Sequence, residues 1–162
     1  MSKPASSLLG SLRGLLRPVR TLLGLLLRRP LVGTSIIALL PDNRIVLIRR
    51  RDTGQWALPG GLVDWDEEIS EAAKRELAEE TGLTLTKVGR LVGVYSKAER
   101  DPRFHSVCVA LEAYAEGDFN IIDEAEVMEV KAFTREELPT EDLAHDHVAQ
   151  LSDYFAGRTA LI

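Results

Sequence analysis

The chain has 162 residues, of which 45% are apolar and 28% are charged, as expected for one soluble globular domain with a full hydrophobic core. Its net charge is −5, but residues 1–30 carry six basic residues and no acidic one, which leaves an acidic body. An acidic body argues against a nucleic-acid groove. The single cysteine, Cys108, excludes an internal disulfide. We expect it to be a reduced core residue of a cytoplasmic protein.

Residues 1–30 differ in composition from the remainder, residues 31–162. Between residues 5 and 29, leucines repeat at helical spacing beside a stripe formed by Arg13, Arg17 and Arg20. This pattern predicts a basic amphipathic helical segment, and no apolar run approaches the roughly 20 residues of a membrane span. Three roles stay open: packing on the domain or in a homodimer, peripheral contact with an anionic membrane or a protein partner, and organelle targeting.

Residues 31–162 predict a mixed α/β domain. Strand-like runs are followed by a final helix over 143–155, with Leu143, Val148, Leu151 and Phe155 on one side. The predicted strands cover residues 32–40, 44–50, 85–95, 105–115 and 126–133.

A second predicted helix lies between the second and third of these runs. Ser70 is its candidate N-cap and Gly82 its candidate C-terminal stop. Glu76, Glu79 and Glu80 stand at i, i+3 and i+4, so their carboxylates share one face. Like charges at this spacing destabilise a helix by about 0.2–0.5 kcal/mol per pair. The cluster therefore indicates a bound hard cation such as Mg²⁺ or Mn²⁺.

This stretch resembles the signature of the Nudix hydrolase superfamily: Gly, five residues, Glu, seven residues, then Arg-Glu-apolar-x-Glu-Glu-x-Gly-apolar. All nine specified positions are matched, by Gly61, Glu67, Arg75, Glu76, Leu77, Glu79, Glu80, Gly82 and Leu83. The resemblance implies an α/β/α sandwich with a mixed β-sheet. It also implies metal-dependent hydrolysis of the pyrophosphate bond in a nucleoside diphosphate linked to another group.

The resemblance also assigns expected roles. Glu76, Glu79, Glu80 and the carbonyl of Gly60 are candidate ligands of Mg²⁺ or Mn²⁺, and the three glutamates are candidate catalytic residues. Arg75 is expected to orient a glutamate through a bidentate pair.

The remaining signature positions have expected structural roles. Glu67 is expected to hold the loop, and Gly61, Leu77 and Gly82 are structural positions of the motif.

A later acid is expected to complete the catalytic residues as the general base. Four acids in the run from residue 123 to residue 130 are candidates: Asp123, Glu124, Glu126 and Glu129. Glu126 is our first choice, although any of the four also fits an ordinary charged strand edge.

Substrate contacts must come from outside the signature. Arg50 is a candidate phosphate ligand, and Trp56 is either a stacking surface for a base or ribose or a core residue. Residues 100–105 resemble the Arg-Asp-Pro-Arg-x-His segment of several ADP-ribose pyrophosphatases. Arg100, Arg103 and His105 are therefore candidate contacts for phosphate or ribose.

The two remaining histidines, His145 and His147, lack convincing metal spacing and are expected at the surface or as helix caps.

The leading hypothesis is a hydrolase that converts ADP-ribose, or a related nucleotide sugar, to AMP and ribose 5-phosphate. Two alternatives stay open: a housecleaning pyrophosphatase of 8-oxo-dGTP type, and a non-catalytic nucleotide-sugar sensor. A fourth alternative is a membrane-peripheral hydrolase anchored by the N-terminal segment, which changes its location without changing its chemistry.

Overall fold

The computed structural model describes residues 29–100 and 105–162. Arg103 and almost all of the N-terminal segment (residues 5–29), with its predicted helix, lie outside these ranges. No helix within them is long and apolar enough to span a membrane.

Within the described residues the chain forms seven strands and two α-helices. The strands are β1 (Leu31–Leu39), β2 (Ile45–Arg50), β3 (Trp56–Ala57), β4 (Thr84–Tyr95), β5 (Ser106–Glu116), β6 (Val127–Phe133) and β7 (Ala160–Leu161). The helices are α1 (Ile69–Thr81) and α2 (His147–Phe155), and short 3₁₀ turns cover Ala98–Arg100, Arg135–Glu137 and Thr140–Asp142.

The strands form one mixed sheet in the order β3-β2-β1-β5-β4-β7, with β6 paired to β2. β1 runs parallel to β5 along its whole length, from the Leu31–Ser106 pair to the Leu39–Tyr114 pair. The β4–β5 and β2–β6 pairs are antiparallel. The predicted mixed sheet is therefore confirmed, and its parallel centre joins segments that are distant in sequence.

The two faces of the sheet are covered by different helices. Ile36 of β1 is buried in a cluster with Leu77 of α1. Its neighbour Ile37 is buried in a second cluster with Leu151 of α2. Because successive strand residues point to opposite faces, β1 is buried on both sides from Gly33 to Leu39. This arrangement confirms the expected α/β/α sandwich.

The final helix begins four residues later than predicted. Ala144 donates its N–H to the carbonyl of Trp56 at 2.8 Å, and His145 has a left-handed backbone with φ +55°. Both features are incompatible with a helix at these positions. Of the residues predicted to share one side of this helix, Leu151 is buried whereas Val148 is 43% exposed.

The chain after α2 contains a strand that the hydrophobic pattern did not predict. Ala160 and Leu161 form β7, which pairs in parallel with Gly93 and Val94 of β4. A two-residue strand is too short to show a period, so only its tertiary pairing identifies it.

The ends of α1 match the prediction at one terminus only. The N-cap is Glu68 rather than Ser70, which lies inside the first turn, and no side chain caps this end. Gly82 ends the helix with φ +78°, and its N–H donates to the carbonyl of Ala78 at 2.9 Å. The left-handed glycine stop is thus confirmed.

Gly82→Ala should destabilise the protein more than Gly54→Ala, although both glycines have φ near +75°. A Cβ at Gly82 would lie 2.6 Å from the backbone N and O of Asn120, whereas one at Gly54 would meet no described atom within 4 Å. Gly54→Ala therefore measures the strain of alanine in the left-handed region alone, about 1–2 kcal/mol. Urea unfolding compares the two variants, and equal losses would contradict the clash.

Candidate active site

The segment that follows β3 runs closely beside β1. The N–H groups of Thr34 and Ile36 donate to the carbonyls of Gly61 and Pro59, both at 2.8 Å. Gly60 has φ +148°, and a Cβ at this position would collide with the Thr34 carbonyl. Only glycine permits this approach, which holds the Gly60-Gly61 backbone, the glycine loop, between β1 and α1.

Glu80 lies beneath the glycine loop. It is 4% exposed, and its Oε2 accepts a hydrogen bond from the Gly60 N–H at 2.8 Å. Burial raises the pKa of Glu80 well above its ordinary value, and the negative charges of Glu76 and Glu126 raise it further, against the opposing effect of the Gly60 hydrogen bond. Glu80 thus stabilises the loop from inside the fold.

Arg75 connects three glutamates. Its Nε and Nη2 donate to the two carboxylate oxygens of Glu67, each at 2.9 Å, which is the expected bidentate geometry. Its Nη1 donates to Glu76 at 2.8 Å and to Glu79 at 3.4 Å. Arg75 therefore joins the loop before α1 to the carboxylates on the helix face.

The pKa values of two of these glutamates shift in opposite directions. The hydrogen bond from Arg75, aided by one from the Asp64 N–H, lowers the pKa of Glu67 to about 2. Burial raises the pKa of Glu76 even though Arg75 opposes this effect. A Cβ on Gly61 would overlap the Glu76 carboxylate, so that carboxylate lies directly against the glycine loop.

A cavity of about 450 Å³ opens beside the glycine loop, within the size range of small-molecule sites. Five acidic side chains line it: Asp64, Glu76, Glu79, Asp123 and Glu126. Other lining residues, including Ile48, Leu58, Arg100, Ser106 and His147, are apolar, polar or basic. The lining of the cavity is therefore mixed, with five acidic side chains beside apolar, polar and basic ones.

The acidic side chains supply the type of ligand atom that a hard divalent cation prefers, because such ions bind carboxylate and carbonyl oxygens. Burial and mutual repulsion raise the pKa values of Glu76 and Glu80, so added positive charge would be favoured there. Within residues 29–100 and 105–162, however, no three His, Cys, Asp or Glu side chains are grouped as metal ligands. The guanidinium of Arg75 lies among these carboxylates instead.

The candidates for the general base are not equally placed. Asp123 and Glu126 line the cavity. Glu129 forms an ion pair with Arg49 at 3.7 Å, and Glu124 is exposed. Asp123 Oδ1 accepts the N–H of Glu126 at 3.2 Å, so Asp123 stabilises the turn that carries Glu126.

Two predicted substrate contacts lie away from the cavity. Trp56 is 9% exposed, and its ring packs edge-on against Phe133 with centroids 5.0 Å apart. Of the two alternatives for Trp56, the core residue is therefore the correct one, and its candidate role as a stacking surface is not supported. His105 is exposed, and its Nε2 lies 3.0 Å from the carbonyl oxygen of Ser96, so the structure does not bring it to the cavity.

Arg50 and Arg100 do line the cavity, but each also forms an ion pair. Arg50 donates to both carboxylate oxygens of Asp52, at 2.9 and 2.7 Å. Arg100 donates to both oxygens of Asp146, at 3.0 and 2.9 Å, and to Ser106 Oγ at 2.5 Å. Arg100 therefore anchors the start of α2 as well as bordering the cavity.

The structure adds His147 to the cavity. It is 6% exposed, and its Nδ1 accepts the Leu58 N–H at 3.0 Å, so the expectation of a surface or capping role was wrong. Burial lowers the pKa of His147 to about 3. Helical period was the available signal, because His147 and Leu151 are four residues apart and share the buried side of α2.

Comparison with known proteins gives consistent matches. A family model, the NUDIX domain, matches residues 29–154. The ADP-ribose pyrophosphatase of Methanocaldococcus jannaschii is 42% identical over 118 residues, 70% of this chain and 66% of that protein. This chain therefore spans just under two thirds of that relative's length.

Two solved structures are also similar. The MutT NUDIX hydrolase from Burkholderia pseudomallei is 29% identical with a TM-score of 0.68, covering 77% of this chain and 98% of that one. The NUDIX domain of Shewanella oneidensis NrtR, complexed with ADP ribose, is 25% identical with a TM-score of 0.64, covering 78% and 89%.

The buried histidine gives a prediction for the pH dependence of stability. The pKa of His147 is about 3 in the folded chain against an ordinary 6.5. Between these values the unfolded chain binds more protons, so the free energy of unfolding falls as the pH falls below 6.5. His147→Asn removes this pH-dependent fall in the free energy of unfolding. The asparagine Oδ1 can still accept the Leu58 N–H.

The stability advantage of the wild type over His147→Asn should therefore shrink by about 1 kcal/mol for each pH unit below 6.5. Urea unfolding of both proteins at pH 7.5, 5.5 and 4.5 measures this difference. A difference that stays constant with pH would contradict a neutral buried imidazole.

Proposed function

The chain belongs to the Nudix family, and on that premise we propose that it hydrolyses the pyrophosphate bond of nucleoside diphosphate derivatives, with ADP-ribose as the preferred substrate. The observation that carries this proposal is the cavity itself. Acidic side chains line it together with the glycine loop and with apolar, polar and basic residues. A mixed lining of this kind suits a ligand that carries both a charged diphosphate and an uncharged nucleoside.

Two similarities support ADP-ribose among nucleotide sugars. The 42% identical relative is named an ADP-ribose pyrophosphatase, and the similar NrtR domain was crystallised with ADP ribose. In the proposed reaction, water attacks one phosphorus of the diphosphate. The products are AMP and ribose 5-phosphate.

The chemical difficulty of this reaction is negative charge, because the diphosphate repels a nucleophile and its leaving phosphate gains charge. Glu76, Glu79, Glu80 and the Gly60 carbonyl are the groups that would hold a divalent cation such as Mg²⁺ or Mn²⁺. Such a cation, when bound, supplies positive charge that offsets the charge of the diphosphate.

The protein's own side chains have distinct proposed roles. Arg75 holds Glu76 and Glu79 in position from the loop side, through hydrogen bonds of 2.8 and 3.4 Å. Glu126 lines the cavity and accepts the proton of the attacking water as general base.

A turnover screen with Mg²⁺ and with Mn²⁺ tests the proposed substrate. We expect the highest kcat/KM for ADP-ribose among ADP-ribose, NADH, diadenosine polyphosphates, UDP- and GDP-sugars, and 8-oxo-dGTP. Chromatography of AMP and ribose 5-phosphate identifies the bond that is cleaved. Preference for 8-oxo-dGTP would reject the substrate assignment, and absence of turnover on the whole panel would favour a sensor.

Glu79→Gln and Glu80→Gln should each lower kcat by about 10²-fold or more, because each removes a carboxylate charge from the proposed cation site. The fold should persist, since glutamine at position 80 keeps an oxygen that can accept the Gly60 N–H. The matched control is Glu71→Gln, an exposed position on the same helix whose partner is Lys74. Wild-type kcat in either test variant would reject the metal-ligand assignment.

A further inference from the structure

We propose that His147 is a specificity-determining residue whose Nε2–H donates a hydrogen bond to a neutral acceptor atom on the nucleoside half of the substrate. The acceptor class is a ring nitrogen or carbonyl oxygen of the base. This inference rests on the proposed function for the identity of the substrate as a nucleotide. It assigns a role to a side chain outside the family signature.

The tautomer of His147 follows from its partner. A backbone N–H can only donate, so the 3.0 Å contact between the Leu58 N–H and Nδ1 requires Nδ1 to be unprotonated. In a neutral imidazole the proton then belongs to Nε2. Burial lowers the pKa of His147 to about 3, so the ring remains in this neutral form at physiological pH.

The Nε2 atom is available to a ligand. No described residue forms a hydrogen bond with it, although His147 as a whole is 94% buried. The described part of the chain also contains no side-chain nitrogen or oxygen that is both sealed from solvent and unpartnered. His147 lines the cavity and its Nδ1 is occupied by the Leu58 N–H, so Nε2 is the ring nitrogen left for a ligand in the cavity.

Neighbouring side chains hold the start of α2, which carries His147, in place. Asp146 accepts two hydrogen bonds from Arg100 and a third, at 3.0 Å, from the side-chain amide of Gln150. The amide oxygen of Gln150 in turn accepts the Ser35 hydroxyl at 2.6 Å. This network ties the start of α2 to β1, so the donor is pre-organised and loses little conformational entropy on binding.

The surroundings favour a neutral acceptor over a phosphate. His147 is itself uncharged, and its cavity neighbours Ile48 and Leu58 are apolar. The nearby cations Arg50 and Arg100 already form ion pairs with Asp52 and Asp146. The diphosphate is assigned to the acidic group with its cation, so the nucleoside half is left for this part of the cavity.

Two variants separate the contacts of the two ring nitrogens. His147→Asn places an oxygen near Nδ1 and keeps an acceptor for the Leu58 N–H, but it removes the donor at Nε2. His147→Gln places an amide nitrogen near Nε2 and keeps the donor, but it removes the acceptor for Leu58. The first variant tests recognition, and the second controls for the structural contact.

The measurement is calorimetric binding of AMP, GMP, CMP and UMP, with ribose 5-phosphate as the ligand that lacks a base. For the mononucleotide that the wild type binds most tightly, His147→Asn should raise Kd by about 5- to 10-fold, the range for one neutral hydrogen bond. Its Kd for ribose 5-phosphate should stay within about twofold. His147→Gln should keep the nucleotide Kd near the wild-type value while lowering Tm.

Kinetics give a second readout. With the preferred substrate, His147→Asn should raise KM while kcat changes little, because the contact is remote from the reacting phosphorus. An unchanged nucleotide Kd, equal losses for nucleotide and ribose 5-phosphate, or failure of the wild type to bind any of the four mononucleotides would overturn the inference. A wild type that binds a nucleotide but does not hydrolyse ADP-ribose would reject the proposed substrate only, and the variant comparison would still decide the role of His147.

Discussion

The close approach of the glycine loop to β1 is the constraint on which the site depends. The loop lies so near the strand that a Cβ at Gly60 would strike the Thr34 carbonyl. From this position the Gly60 N–H reaches Glu80 and the Gly61 backbone lies against the Glu76 carboxylate. The strand, the loop and α1 are therefore fixed relative to one another by backbone contacts that a larger residue would prevent.

The same contacts place the carboxylates of Glu76 and Glu80 close together in a partly buried site. Glu76 and Glu80 have raised pKa values because burial and neighbouring carboxylates both disfavour their ionised forms. Arg75 offsets part of this charge through Glu67 and Glu76. Like charges on one helix face lower the stability of the helix. Residue clusters that are locally destabilising in this way are common at functional sites.

The features that sequence predicts well here are those with local causes. Gly82 ends α1 because its backbone is left-handed, and β1 is an apolar-rich segment that becomes a strand buried on both faces. The features it missed depend on distant partners. His147 is buried because Leu58, 89 positions earlier, donates to it, and the Trp56 ring is in the core because Phe133 packs on it. Helical period could have indicated that His147 is buried, but neither period nor spacing identifies Leu58 or Phe133 as the distant partner.

The parallel pairing of β1 with β5 has a consequence for folding. The Thr34 hydroxyl donates to the Val109 carbonyl across 75 positions of sequence, and residues of both strands line the cavity. Closing a loop of this length has an entropic cost that must be met before the pairing stabilises the chain. Topologies dominated by such distant contacts fold slowly. The cavity cannot exist on an isolated α1 with its glycine loop, so ligand affinity reports on chains that have completed the central strand pairing.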